Sequence, residues 1–173
     1  MKAFRVLVSI TLVSLTMAIQ GQGSAQSTYD GLKALTGSWE GTITTVPENT
    51  PVQGKHVQVT MRLASSGTAI VHDVTWTGRK DNETSVLYVD GSRVLLTHYC
   101  DVGNRPQMVA KTSADGKIVD FDLIEVAGSP GYGHVQHVVF TFIDASHHTE
   151  DWTFMGSGGD LVHAHLNLQR SKQ

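Results

Sequence analysis

Two side chains capable of acid–base or nucleophilic chemistry, His98 and Cys100, stand two residues apart in the alternating stretch of residues 94–100. Residues two apart on a β-strand project to the same face, so the imidazole and the thiol would lie side by side, as a base and its nucleophile do. Their Cα atoms would be about 6.5 Å apart, and a lone cysteine is more often a small buried apolar residue. The pair therefore predicts either contact with a bound molecule or a packed core position, and we assign it no catalytic residue.

The segment after the cysteine combines turn residues with a cation. Gly103, Asn104 and Pro106 favour a turn, in which Gly103 can adopt a positive φ, and the next strand is predicted to begin at Met108. Arg105 lies within this turn, where it could bind an anionic group at the edge of a site or stay solvated. The sequence thus predicts a ligand contact at Met108 and Arg105.

The histidines form a second group with chemical potential, since all nine lie between residues 56 and 165. His163 and His165 share one face of the last predicted strand, and two imidazoles can bind a divalent metal when a third ligand faces them. His98 or His134 could supply that ligand across a closed sheet. The alternative is that His163 and His165 belong to an outward polar face of a strand whose other face is packed.

Familiar catalytic signatures do not occur in the chain. Glu150 and Asp151 are adjacent, so on a strand they point to opposite faces and cannot act as a paired acid and base. A nucleophile elbow, a phosphate-binding loop and an EF-hand loop are all missing from the sequence. The sequence therefore favours a binding protein over an enzyme.

The elements that would position these residues are short alternating runs separated by turn residues. Residues 27–35 could form one or two helical turns, because Tyr29, Leu32 and Leu35 are spaced as on one helix face. About ten strands follow, which predicts an all-β antiparallel meander closed into a barrel, with a two-sheet sandwich as the alternative. The predicted strands are 38–46, 55–63, 68–77, 84–89, 93–100, 108–112, 117–125, 134–143, 147–155 and 161–169.

The N-terminus predicts export. Lys2 and Arg5 precede a mostly apolar run, and small residues lie before Gln26, as in a secretory signal peptide. The apolar run is shorter than the ~20 residues of a membrane-spanning helix. We therefore expect residues 1–25 to be a signal peptide, residues 26–173 to form a single domain, and the mature protein to be secreted or periplasmic, with no membrane association after cleavage.

The net charge and the cysteine content limit the partners that the protein can bind and the ways in which its fold can be stabilised. The signal segment takes two of the 13 basic residues, which leaves 11 against 16 acidic ones in residues 26–173. That acidic balance argues against nucleic acid and against anionic membranes as partners. With one cysteine, Cys100, the domain has no internal disulfide, so its hydrophobic core must hold it together.

A resemblance to a known superfamily rests on the start of the first strand. Gly37-x-Trp39-x-Gly41 resembles the Gly-x-Trp motif of the lipocalin and fatty-acid-binding superfamily, in which the tryptophan packs under the barrel floor beside a basic residue of the last strand. Arg170 is placed to be that residue. The resemblance implies a lipocalin-like (calycin) barrel.

The likeness extends over the mature chain. The segments Thr97–Met108, Glu150–Thr153 and Leu166–Arg170 also resemble a family of small secreted bacterial proteins with lipocalin-like folds and no settled activity. In architecture the chain is similar to the nitrobindins, ten-stranded barrels in which one late-strand histidine ligates haem iron. That resemblance implies His163 or His165 as the haem ligand.

Together these observations predict a secreted barrel that holds a small hydrophobic or amphipathic ligand. A haem- or metal-binding protein that uses the late histidines is one alternative, and a structural domain without a ligand is another. The sequence does not decide which face of each strand points inward, and the oligomeric state stays open. The residues expected to contact the small-molecule ligand are His98, Cys100, Arg105, Met108, His134 and Trp152.

Overall fold

A computed structural model describes residues 17–129 and 131–172, with side chains from residue 25 onward. One helix is followed by ten strands and a short 3₁₀ segment. The predicted strands are all present. The elements are α1 (Met17–Lys33), β1 (Gly37–Val46), β2 (His56–Ala64), the 3₁₀ segment Ser65–Gly67, β3 (Ala69–Trp76), β4 (Glu83–Asp90), β5 (Arg93–Tyr99), β6 (Asn104–Thr112), β7 (Ile118–Gly128), β8 (His134–Phe142), β9 (His147–Met155) and β10 (Leu161–Arg170).

The strands form one antiparallel sheet that closes on itself. Each strand pairs with its neighbours in sequence, and β1 pairs with β10, where Trp39 lies opposite Arg170. The prediction of an all-β meander closed into a barrel is confirmed, and the two-sheet sandwich is excluded. Closure pairs every strand on both edges, which removes the exposed edges that an open sheet of this size would carry.

The barrel floor has the arrangement expected of the first-strand motif. Trp39 is buried, its indole N–H donates to the Leu35 carbonyl at 2.8 Å, and the Arg170 guanidinium lies 4.1 Å from the ring centroid. Arg170 also donates to the carbonyl oxygens of Thr36 and Ala34, at 2.8 and 3.1 Å. A Cβ on Gly41 would lie 1.9 Å from the Asn167 carbonyl oxygen, so the close approach of β10 requires glycine there.

Helix α1 covers the same end of the barrel. Tyr29 and Leu32 are buried together with Leu35, as their spacing predicts, and the Tyr29 hydroxyl donates to the Gly67 carbonyl at 3.1 Å. The described part of the helix starts at Met17, ten residues before the predicted helical turns, so the helix includes part of the segment predicted as a signal peptide. Residues 1–16 lie outside the described part of the chain, and the signal peptide stays a prediction. Within the described residues, no helix is long and apolar enough to cross a membrane.

The turn between β5 and β6 lies earlier than the sequence predicts. The turn is closed by a hydrogen bond from the Gly103 N–H to the Cys100 carbonyl, and Gly103 has a φ of 84°. Asn104 already belongs to β6, and its buried side-chain amide donates to the Gly133 carbonyl at 2.8 Å. Pro106 also lies within this strand, so the predicted turn over residues 103–106 is wrong, because Asn104 and Pro106 continue the barrel wall.

Candidate functional site: a cavity above a buried carboxylate

A cavity of about 300 Å³ lies at the barrel end opposite Trp39. The loop between β1 and β2 reaches over this end and contributes Thr50, Pro51 and Val52. The rest of the lining comes from inward-facing positions near the ends of six strands, and most of these side chains are apolar. The strand residues that line the cavity are Ile43, Val74, Trp76, Glu83, Val135, Trp152, Phe154, Val162, Ala164 and Leu166.

Glu83 is the one charged residue of this lining within the described part of the chain. One carboxylate oxygen, Oε1, forms an ion pair with Arg79 Nη2 at 3.0 Å, and the other, Oε2, lies 3.6 Å from Nε2 of His98. Arg79 also pairs with Asp101 at 3.2 Å and lies over the Trp76 ring. Burial raises the pKa of Glu83, and the nearby Arg79 charge opposes that rise only in part.

A second carboxylate, Glu150, is fully buried in the interior below the cavity. Its Oε1 accepts from Nε2 of both His72 and His148 at 3.1 Å. Its Oε2 lies 3.1 Å from the same His72 nitrogen and accepts the Trp152 indole N–H at 3.0 Å. The carboxylate is thus held by donors from three side chains, which is how a buried charge is kept in a protein interior.

This network connects the cavity to the floor. Trp152 lines the cavity and stacks on His72, with 5.6 Å between the ring centroids. At the lower end, His148 meets Trp39 edge to face at 4.2 Å. The core of the barrel is therefore a polar and aromatic column surrounded by apolar side chains.

The ionisable groups of this column shift one another's pKa values. Burial alone would raise the pKa of Glu150, but His72 and the hydrogen bonds from His72 and His148 outweigh it and lower that pKa. Burial alone would lower the pKa of His72, and the Glu150 charge and hydrogen bond outweigh it and raise that pKa. Nδ1 of His72 and of His148 has no hydrogen-bond partner among the described residues. Among the described residues, Glu150 is thus the only side chain to which either ring is hydrogen-bonded.

His98 is inward-facing and buried beside this column. Its Nδ1 is bonded to the Ser85 hydroxyl at 2.9 Å, and its ring lies 5.4 Å from Trp152. Burial, with the charges of His72 and Arg79, lowers the pKa of His98 to about 4. The imidazole is therefore neutral at physiological pH.

The Cys100 thiol is a poor nucleophile in this setting. It lies half-buried after the end of β5, and burial raises its pKa to about 11. At neutral pH the thiol is protonated, whereas a reactive cysteine needs a depressed pKa. The structure thus offers no activated thiol at Cys100, and the packed interpretation of the His98–Cys100 stretch is the one it supports.

The structure separates the residues that sequence reasoning grouped as ligand contacts. Trp152 lines the cavity, while His98 and Met108 are buried in the interior. Arg105 is exposed, and His134 lies on the face of β8 opposite to the cavity-lining Val135. Of the six predicted contacts, only Trp152 belongs to the cavity lining as the structure stands.

His163 and His165 lie on the outer face of β10, because the cavity lining takes the alternate positions Val162, Ala164 and Leu166. Nδ1 of His163 is bonded to Thr153 at 3.0 Å, and Nδ1 of His165 to Asp151 at 2.6 Å. His98, a proposed third metal ligand, is on the other side of the barrel wall. Neither outer imidazole can reach a haem or metal inside the cavity from this face.

A single group of three potential metal ligands occurs among the described residues. It consists of Asp120, Asp122 and His137 on the outer wall. His137 Nε2 lies 2.6 Å from Asp120, and the Lys111 ammonium pairs with Asp122 at 2.5 Å. These contacts form a half-buried cluster of acidic and basic side chains on the barrel wall.

Sequence reasoning missed Glu83, Glu150 and His72. A signal for Glu150 was present, since it shares its strand face with Trp152 and Phe154, whereas Asp151 alternates with it. His72 likewise shares a face with Ile70 and Val74. A polar residue within an apolar face of a strand is the pattern that marks a buried, paired group.

Comparison with known proteins yields a fold and no function. No protein-family model matches the chain, and no curated protein matches it in sequence. The barrel is similar to that of Rv2717c from Mycobacterium tuberculosis, with a TM-score of 0.59, 17% identity, and coverage of 84% of this chain and 98% of that one.

A second similar structure is a protein of unknown function from the DUF3598 family of Nostoc punctiforme. It matches with a TM-score of 0.58 and 14% identity over 81% of this chain. The match covers 49% of that protein, so this chain spans about half its length. At these identities the two likenesses establish the ten-stranded barrel alone.

Proposed function

We propose that this protein is a secreted, lipocalin-like barrel that binds a small hydrophobic or amphipathic molecule in the cavity at its open end. The observation that carries the proposal is the cavity of about 300 Å³ with its mostly apolar lining. Binding sites for small molecules are typically concave, apolar and furnished with a few polar groups. Secretion rests on the sequence pattern of residues 1–25.

The organisation of the interior supports a binding role. The floor is closed by Trp39 and α1, and the column around Glu150 is fully hydrogen-bonded on its carboxylate side. A fixed lower half and a cavity in the upper half give a preformed site, which limits the entropy lost on binding. The raised pKa of Cys100 also favours binding over catalysis, because the thiol is protonated at neutral pH.

A fluorescent apolar probe tests the proposal. Ala164 lies in the cavity wall, so Ala164→Phe would fill part of the space with a ring. We expect 1-aminoanthracene to bind the unmodified protein with enhanced emission, and Ala164→Phe to weaken binding by at least about tenfold, because the displaced apolar contact is worth more than 1.4 kcal/mol.

Thr153→Phe is the matched control, since it places the same ring on the outer face of the neighbouring strand. Both variants are first checked for a cooperative unfolding transition. Equal affinities for the two variants would place the probe outside the cavity. Failure of the unmodified protein to bind any apolar probe would favour the structural domain without a ligand.

A further inference from the structure

The polar groups of the cavity wall differ in how far they are already engaged. The Thr50 hydroxyl shares a hydrogen bond of 2.8 Å with Thr45. The Trp152 indole N–H is donated to Glu150 at 3.0 Å. Apart from the Trp76 indole, Glu83 is the remaining polar side chain of the lining within the described part of the chain.

Glu83 has one engaged and one available oxygen. The Arg79 guanidinium forms an ion pair with Oε1 at 3.0 Å, while Oε2 lies 3.6 Å from His98 Nε2, beyond hydrogen-bonding distance. Within the described part of the chain Oε2 has no hydrogen bond, and the Glu83 side chain, which is 22% exposed, lines the cavity. Glu83 can therefore accept a hydrogen bond from a molecule bound there.

The charged side chains around Glu83 carry more negative than positive charge. Arg79 is shared between Glu83 and Asp101, so two carboxylates face one guanidinium. His98 adds no positive charge at neutral pH, because burial lowers its pKa to about 4. Glu83 is thus the one charged side chain that lines the cavity in the described part of the chain, and it would repel a ligand carboxylate.

The aromatic side chains of the lining fit the same ligand. Trp76, Trp152 and Phe154 line the cavity together with Glu83. Aromatic faces attract organic cations, and the attraction is strongest where water is excluded. An apolar body and a cationic head would each find a matching surface.

Resting on the proposed function, we propose that the ligand is an amphipathic amine, with its apolar body against the aromatic and aliphatic wall and its ammonium group donating to Oε2 of Glu83. An anionic ligand such as a fatty acid would be repelled by the Glu83 carboxylate. Glu83 is then the residue that determines specificity for charge, and the apolar wall sets the size of the ligand.

Calorimetric titration with three ligands of one chain length tests this assignment. Octylammonium chloride, 1-octanol and sodium octanoate each contain eight carbon atoms and differ in the charge of the head group. At pH 7.5 we expect octylammonium to bind at least about tenfold more tightly than octanoate, because the ammonium group can donate to Glu83 while the carboxylate is repelled by it. The alcohol, a neutral donor, should fall between them.

Glu83→Gln should remove the preference for the amine over octanoate and leave the affinity for 1-octanol within about twofold, as expected for a charge-specific contact. Asp160→Asn is the matched control, because Asp160 lies in the β9–β10 loop at the same barrel end but outside the cavity lining. It should keep the full preference.

The outcomes separate the two proposals. Equal binding of all three ligands, or tighter binding of octanoate, would overturn the amine assignment while leaving a ligand-binding barrel. Binding of none of them would count against the proposed function itself. An unchanged preference in Glu83→Gln would show that another group selects the charge.

Discussion

Two adjacent carboxylates of β9, Glu150 and Asp151, face opposite sides of the barrel wall. Glu150 points inward, is completely buried, and accepts N–H groups from His72, His148 and Trp152. Asp151 points outward and pairs with His165 at 2.6 Å, with both side chains nearly half exposed. Adjacent carboxylates of one strand thus each pair with an imidazole, one pair buried away from water and the other exposed to it.

The difference shows that burial, and not the type of partner, decides what such a pair contributes. An exposed pair is screened by water and contributes little to stability. A buried carboxylate becomes costly as soon as a donor is lost, because nothing else can solvate it. The inward pair is therefore a fixed part of the core, while the outward pair is dispensable.

Replacing each carboxylate with alanine should give the largest difference in stability between the two sides of the wall. Glu150→Ala leaves His72, His148 and the Trp152 indole without their acceptor, so we expect a loss of about 3–5 kcal/mol in the free energy of unfolding. Asp151→Ala should cost less than about 1 kcal/mol. Urea unfolding followed by tryptophan fluorescence measures both.

Glu150→Gln serves as the control for shape. It keeps one acceptor oxygen but offers an N–H₂ group to histidines that also donate, so an intermediate loss is expected. Similar losses for Glu150→Ala and Asp151→Ala would contradict the distinction between the two sides of the wall.

Lowering the pH should reduce the stability of the folded protein, because the buried His98 resists protonation. Its folded pKa is about 4 and its ordinary value 6.5. Between those values the unfolded chain binds the proton and the folded protein does not, so stability falls as the pH drops from 6.5 towards 4, by about 3 kcal/mol in all. Urea unfolding at a series of pH values measures this slope.

The other buried groups change the stability over different pH ranges, or in the direction opposite to His98. His72 has a raised pKa, so its contribution is complete below pH 6.5 and is lost as the pH rises through the folded value. Glu150 has a lowered pKa and loses its contribution only below pH 4.5. Glu83 has a raised pKa and offsets part of the His98 slope.

His98→Gln should therefore flatten the pH dependence between 6.5 and 4.5. Tyr99→Phe is the matched control, because the neighbouring side chain is on the exposed face of β5. A slope that survives in His98→Gln would assign the acid sensitivity to another group.

The same alternation explains how far the sequence could predict the molecule. A period of two is visible in nearly every strand, and turn residues separate the strands, so the number and order of strands follow from local patterns. Trp39 and Arg170 were found because a short motif indicates the floor. These features depend on residues close in sequence or on one recognisable resemblance.

The site depends on contacts that a local pattern does not show. Glu150 is paired with His72, which is 78 residues away in sequence and on the opposite part of the wall. Neither residue by itself indicates burial, because acids on strands usually face water. The late histidines attracted attention as a pair, yet Val162 and Ala164 occupy the inward positions of that strand.

The outer histidines should give the smallest effect. His163 and His165 share the outer face of β10, but their Nδ1 atoms are bonded to Thr153 and Asp151, and among the described residues they belong to no group of three metal ligands. Zinc needs three or four protein ligands for tight binding. We therefore expect micromolar Zn²⁺ to leave the unfolding temperature unchanged, and haemin to keep the absorption spectrum of free haemin. A rise in unfolding temperature that is lost in both His163→Ala and His165→Ala would instead establish the metal site that the sequence predicts, on the outside of the barrel and independent of the cavity.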